Sequence, residues 1–182
     1  MSQKAVFLDR DDTVIDDPGY LSDPEQLKLL PGAAEAIIQF KRMGYRVVII
    51  TNQSAIARGY MTEDKLEEVH QKLKNLLAAD GAKIDGIYYC PYHPEGTVDG
   101  YARESELRKP NPGMLLKAAA ELHIDLGRSW MIGDRCRDVQ AGKAAGCHTI
   151  LVDVPGKKRE LNTTGPDPDR KAVNLREAVN II

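Results

Sequence analysis

The sequence predicts an α/β protein with a doubly wound, mostly parallel sheet. Two observations carry this expectation. Short runs of β-branched residues alternate with segments of helical periodicity, at spacings that leave room for a crossover helix between successive strands. Three of those runs stop abruptly in polar clusters, Asp9-Arg10-Asp11, Thr51-Asn52-Gln53-Ser54 and Gly133-Asp134. In open parallel sheets, functional groups gather outside the carboxyl ends of the strands.

The elements follow in order. Residues 4–8 (KAVFL) are an apolar run of strand formers that ends in carboxylates, the first strand. Pro31-Gly32 introduces a helix over 33–43, with Ala34, Ile37, Ile38 and Phe40 as its apolar stripe and Gly44 as its stop. Residues 45–50 (YRVVII) are a second buried strand. Thr62 is a fitting N-cap for a helix reaching Ala79, whose Leu66, Val69, Leu73 and Leu76 recur at helical spacing. Residues 84–90 form a third strand, and 91–107 a polar loop insert. Asn111-Pro112-Gly113 opens a helix over 114–122; residues 130–132 make a fourth strand, 138–145 a short helix and 149–152 a fifth strand. The stretch 155–170, rich in Pro, Gly, Asp and Lys, reads as a mobile tail, and 172–182 as a docked edge element. The arrangement is Rossmann-like, with helices on both faces and no large cap domain.

A chain of 182 residues and 20.1 kDa fits one domain over 1–182 with a real core. With 42% hydrophobic and 29% charged residues it has the composition of a soluble globular protein. Twenty-five Lys plus Arg against 27 Asp plus Glu leave a net charge of -2, which gives no surplus for a nucleic-acid backbone. No apolar stretch approaches a membrane span, and the short N-terminal run meets Asp9 before it could serve as a signal core. Cys90, Cys136 and Cys147 are odd in number and widely spaced, so no disulfide framework is expected and a cytoplasmic setting is. A monomer is the expected state.

Chemistry concentrates at the strand ends. Two aspartates one residue apart, Asp9 and Asp11, can divide the labour of nucleophile and general acid or base. A carboxylate attacking a phosphoester dianion meets like charge. A magnesium ion held by Asp9, Asp134 and a main-chain carbonyl would offset that repulsion, and Lys109 and Thr51 would complete the clamp.

Asp9-x-Asp11-x-Thr13, then Thr51, Lys109 and Asp134 in that order, resemble the four motifs of the haloacid dehalogenase superfamily over roughly residues 7–152. The resemblance implies that Asp9 attacks phosphorus and that Asp11 protonates the leaving oxygen, then activates water. It implies Mg2+ on Asp9, the Asp11 carbonyl and Asp134, and a phosphoryl group held by Thr51 and Lys109. The strings FLDRDDTV, TNQSAIARGY, GIYYCPYHP, RKPNPGML and MIGDRCRD are similar to the branch that holds heptose-bisphosphate and histidinol-phosphate phosphatases. TNQSAIARG followed by a long helix, without a large cap, favours the heptose side. The substrate so implied is a small phosphorylated sugar, a heptose 1,7-bisphosphate losing its 7-phosphate on the way to nucleotide-activated heptose. Substrate contacts are implied for Asp17, Pro18, Gly19 and Tyr20, for Asn52, Gln53 and Ser54, and for Arg108 and Arg135. Arg108, with its planar fork, suits a second, non-transferred phosphate.

Two positions depart from that pattern. Asp12 stands where a glycine is usual, adding a Cβ and a negative charge that would be screened if the side chain faced water. The relatives' structural zinc loop is incomplete: Cys90 remains, but Tyr92, Ser105 and Leu107 fill the other ligand positions, so no structural zinc is expected. The lesser possibility is a partial site of Cys90 and His93 with Glu104 or Glu106. His70 reads as a surface or partly buried histidine, His123 and His148 as end positions, and Cys136 as packing. Rival readings are a phosphatase for histidinol phosphate or another small phosphomonoester, and a non-catalytic phosphate-binding module.

Overall fold

The computed structural model describes residues 2–153 and 165–182. The elements are β1 (Ala5–Leu8), α1 (Ala33–Arg42), β2 (Arg46–Asn52), α2 (Glu63–Ala79), β3 (Gly86–Cys90), α3 (Gly113–Leu122), β4 (Trp130–Gly133), α4 (Cys136–Ala145), β5 (His148–Val152), β6 (Arg170–Ala172) and α5 (Leu175–Asn180). The six strands lie in the order β3-β2-β1-β4-β5-β6, and every neighbouring pair is parallel. The predicted doubly wound α/β architecture is the observed one.

The strict alternation of β1 and β2 divides the core between two faces. Val6, Leu8, Val47 and Ile49 pack with Ile37 and Phe40 of α1, Val69 and Leu73 of α2 and Leu175 of α5. Ala5, Phe7, Val48 and Ile50 pack with Met114, Leu115 and Ala118 of α3 and Ala141 of α4. Both faces of the central strands are therefore covered, which explains why they read as unbroken apolar runs. Phe7 pairs with Val48 on one side and Met131 on the other, so β1 is the central rail from which the chain winds outward in both directions. The strand order reverses there, and the crevice above that point is where such sheets bind ligands.

Three boundaries differ from the sequence expectation, each for a reason. β2 runs on through Thr51 and Asn52 because these pair with Tyr89 and Cys90 of β3; the polar cluster begins inside the ladder. α4 starts at Cys136 because the Asp138 carboxylate accepts the Arg135 N–H at 3.0 Å and organises the first turn. The predicted edge element divides into β6 and α5, the strand extending the sheet and the helix packing on α1. Of the expected mobile tail, residues 155–164 lie outside the described residues. Beyond them Asp169 is anchored, its Oδ2 accepting the Thr149 N–H at 2.8 Å. No helix among the described residues is long and apolar enough to cross a membrane.

Candidate active site

The first carboxylate after β1, Asp9, is 3% exposed, and its main-chain N–H still belongs to the sheet, donating to Ile132 O at 2.9 Å. Its Oδ1 accepts from Lys109 Nζ at 2.8 Å and from the Arg10 N–H at 2.9 Å. Lys109, itself 1% exposed, also meets Asp138 Oδ1 at 2.7 Å and donates to Ile50 O at 2.8 Å. An ammonium in the dry interior survives only with such company. Burial works against its charge, yet Asp138 and Asp9 outweigh that and raise the Lys109 pKa.

Asn52 fixes where the lysine stands. Its Oδ1 accepts the Lys109 N–H at 3.0 Å and its Nδ2 donates to Lys109 O at 2.9 Å, so one side-chain amide grips both polar groups of the Lys109 main chain. Gly133, at the end of β4, permits the other approach, since a Cβ there would stand 2.4 Å from the Asp138 carboxylate.

Asp11 faces elsewhere. Its Oδ1 accepts from Arg10 Nε at 2.8 Å, and its Oδ2 from Gln53 Nε2 at 2.9 Å and, more loosely, Thr51 Oγ1 at 3.5 Å. Arg10 is fully buried, with Nη1 3.3 Å from Nε2 of His70 on α2. His70 is thus no surface histidine: at 1% exposure it backs the site wall, because the loop after β1 folds down against α2.

Asp134 follows β4, with Arg135 Nε 2.8 Å from its Oδ2. Carboxylate oxygens of Asp9, Asp134 and Asp138 all lie within 4.8 Å of one another. Burial first, then Asp9 and Asp138, push the Asp134 pKa up to about 7. Three crowded carboxylates with oxygen donors are a set that fits a hard divalent cation, which would relieve their repulsion. Asp9 and Asp134 are the predicted carboxylate ligands; Asp11 keeps its carboxylate outside the group, as a ligand acting through its carbonyl would.

Above this cluster opens a cavity of about 230 Å³ lined in part by Asp11, Asp17, Gly19, Tyr20, Asn52, Gln53, Ser54, Asp134 and Arg135. Pro18 and Arg108 do not line it, and Arg108 instead donates to Tyr92 O at 3.3 Å. At the rim the exposed Tyr20 ring lies 5.1 Å from that of Tyr60. Asp12 does not face water. It is 8% exposed, adopts a left-handed φ of 56, accepts the Asp17 N–H at 3.2 Å, and is countered by Arg135 Nη2 at 3.8 Å. The charge is therefore offset by an arginine, not by solvent screening.

The loop over residues 91–107 is braced by side chains. Tyr92 stacks on Tyr101 with centroids 6.0 Å apart, and the Arg103 guanidinium lies 4.0 Å over the Tyr92 ring. Cys90 Sγ donates to Tyr92 O at 3.8 Å, while His93 Nδ1 accepts the Glu95 N–H at 3.1 Å. Among the described residues neither joins a cluster with metal-ligand spacing.

Sequence reasoning missed Asp138 and the Arg10–His70 contact. Asp138 had a signal: a second carboxylate four residues after Asp134, in the first turn of a helix.

The arrangement can hold a phosphoryl group over a buried aspartate charge-paired to a lysine. The HAD-hydrolase-like family model matches residues 106–178. The D-glycero-beta-D-manno-heptose-1,7-bisphosphate 7-phosphatase of Pasteurella multocida is 47% identical over 155 residues, 85% of this chain and 84% of that protein. The D-glycero-alpha-D-manno-heptose-1,7-bisphosphate 7-phosphatase of Burkholderia mallei is 43% identical over 152 residues, 84% of this chain and 80% of its own length. Among solved structures, the D,D-heptose 1,7-bisphosphate phosphatase of B. bronchiseptica, complexed with magnesium and phosphate, superposes with a TM-score of 0.85 at 33% identity, covering 98% of this chain and 97% of that one. The chain belongs to the haloacid-dehalogenase-like hydrolases. Within them its relatives are phosphatases of a heptose bisphosphate.

Proposed function

We propose that this protein hydrolyses the 7-phosphate of D-glycero-D-manno-heptose 1,7-bisphosphate through a phosphorylated Asp9, with Mg2+ as cofactor. The observation that carries the chemistry is the buried Lys109 ammonium 2.8 Å from the equally buried Asp9 carboxylate, an ion pair that seats the nucleophile beside a phosphoryl-binding cation. The substrate is inferred from the relatives' activities.

Asp9 attacks phosphorus as the bond between phosphorus and the sugar C7 oxygen breaks. Asp11, in its protonated form, gives that oxygen its proton. Asp11 then takes a proton from water, which attacks the phosphorylated Asp9, restoring the carboxylate and freeing inorganic phosphate. Gln53 and Thr51 orient Asp11 from one side and Arg10 from the other. Lys109 and Thr51 hold the phosphoryl oxygens. Asp9, Asp134 and the Asp11 carbonyl, with Asp138 beside them, would hold Mg2+, which would supply Lewis-acid charge compensation there.

The deciding experiment measures phosphate release from both anomers of the heptose bisphosphate, with Mg2+ and with chelator, beside histidinol phosphate and fructose 1,6-bisphosphate. Rapid, Mg2+-dependent loss of the 7-phosphate that vanishes in Asp9→Asn is expected. A preference for histidinol phosphate would keep the mechanism and overturn the substrate; turnover surviving in Asp9→Asn would overturn the mechanism.

A further inference from the structure

The two carboxylate oxygens of Asp11 are held in different ways. Oδ2 takes neutral donors, Gln53 Nε2 at 2.9 Å and, more loosely, Thr51 Oγ1 at 3.5 Å. Oδ1 takes a cation: Arg10 Nε and Nη2 both stand 2.8 Å from it. Two guanidinium N–H groups on one oxygen hold negative charge there, so the oxygen left to carry and pass a proton is Oδ2.

What aims the fork is a residue outside the cavity. Arg10 is 1% exposed, and a buried guanidinium needs acceptors for its remaining donors. His70 supplies one, its Nε2 lying 3.3 Å from Arg10 Nη1. The histidine sits among the buried residues of α2 with Leu66, Val69 and Leu73, and it does not line the cavity. Its ring lies 5.7 Å from that of Tyr89, whose hydroxyl donates at 2.8 Å to Oε1 of Glu63, the first residue of the same helix. The arginine is thus braced against a packed helix, not against solvent.

The kind of acceptor matters. A carboxylate at position 70 would satisfy Nη1 equally well, but it would also draw the guanidinium away from Asp11, since two carboxylates would then share one buried cation. A neutral imidazole takes the hydrogen bond and leaves the charge to Asp11.

We infer that His70 is a positioning residue for the reaction: as a neutral acceptor it holds the Arg10 fork on Oδ1 and so dedicates Oδ2 of Asp11 to proton transfer. This rests on the reading above in which Asp11 is the general acid and base. Oδ2 gives its proton to the sugar oxygen as the bond from that oxygen to phosphorus breaks, and takes one from water as the water oxygen attacks phosphorylated Asp9. Arg10 and His70 exchange no proton in either step.

The test compares kcat and KM for heptose 1,7-bisphosphate, with saturating Mg2+, in the wild type, His70→Leu, His70→Gln and His70→Glu. Leucine keeps the packing on α2 and removes the acceptor; kcat should fall about 10- to 100-fold, part of what a well-placed general acid and base contribute, with KM within about twofold. Glutamine restores a neutral acceptor and should bring kcat back to within about threefold of wild type. Glutamate is an acceptor too, but a charged one, and should lose as much kcat as leucine. A merely structural role would instead rank glutamine and glutamate together, and equal kcat in those two would overturn the proposal even if His70→Leu failed to fold. An unchanged kcat in His70→Leu, or a loss confined to KM, would overturn it as well. Asp11→Asn keeps the underlying reading separate: turnover retained there would overturn the acid–base assignment and the role of His70 with it, whereas an inactive Asp11→Asn beside a fully active His70→Leu would overturn the role of His70 alone.

Discussion

Arg10 and His70 meet inside the wall of the active site, guanidinium Nη1 to imidazole Nε2 at 3.3 Å, although sixty residues separate them. Because the guanidinium can only donate, Nε2 must accept, and the ring is neutral with its proton on Nδ1. Burial, then Arg10 and Lys74, lower the His70 pKa to about 3. The unfolded histidine titrates near 6.5, so between roughly pH 6.5 and 3 the unfolded state binds a proton that the folded state refuses. Stability therefore falls as pH is lowered through that window, by up to roughly 1.4 kcal/mol per pH unit. His70→Gln, which keeps an acceptor for Arg10, should flatten this acid limb. Urea midpoints at about pH 7.5 and about pH 4.5 check it; parallel losses in both proteins would refute the assignment.

Replacing Lys109 by Met should both abolish turnover and destabilise the fold. The substitution leaves Asp9 and Asp138 buried without their cation, a loss of about 3–5 kcal/mol by analogy with other broken buried pairs. Divalent cation should restore part of that stability, since it would settle among the same carboxylates. Thermal unfolding with and without Mg2+ reads both effects, and a variant as stable as wild type in chelator would contradict the pairing.

Asn52→Ala separates positioning from binding. The sequence suggested a substrate contact, but the amide grips the Lys109 main chain through two hydrogen bonds while it lines the cavity. The expected result is a kcat reduced roughly tenfold or more, the effect of a loosened catalytic group, with KM changed far less. A change confined to KM would make substrate contact its whole role.

Asp12→Gly should be nearly neutral for stability, within about 1 kcal/mol. The left-handed backbone at φ 56 suits glycine, and that gain offsets the lost hydrogen bond to the Asp17 N–H. Catalytically, the change removes a carboxylate 3.8 Å from Arg135 and should lower KM for a phosphorylated substrate severalfold. A raised KM would mean that Asp12 orients Arg135 productively.

Tyr92→Leu should loosen the loop over residues 91–107, since the stack with Tyr101 and the Arg103 cation–π contact both vanish. Faster limited proteolysis within the loop is expected, and an unchanged cleavage rate would contradict the bracing role. Wild-type protein should contain substoichiometric zinc by elemental analysis and unfold at the same temperature with or without a zinc chelator.

The order of strands and helices was legible because periodicity is a local property: β-branched runs stop at carboxylates, and Thr62 and Gly81 bracket a helix whatever it packs against. The motif residues Asp9, Asp11, Thr51, Lys109 and Asp134 were legible for a related reason, since a parallel sheet brings every strand's carboxyl end to one rim. Tertiary structure alone decided how these groups divide. Asp138 claims Lys109 because the α4 cap turns its carboxylate inward beside Gly133; His70 becomes a buried acceptor because the β1 loop lays Arg10 on α2. Arg108 turns to Tyr92 O. Sequence fixes which groups stand at the rim, whereas their partners are set by close contacts between segments far apart in the chain, where a shift of an ångström decides which charge is paired and which stays open to a ligand.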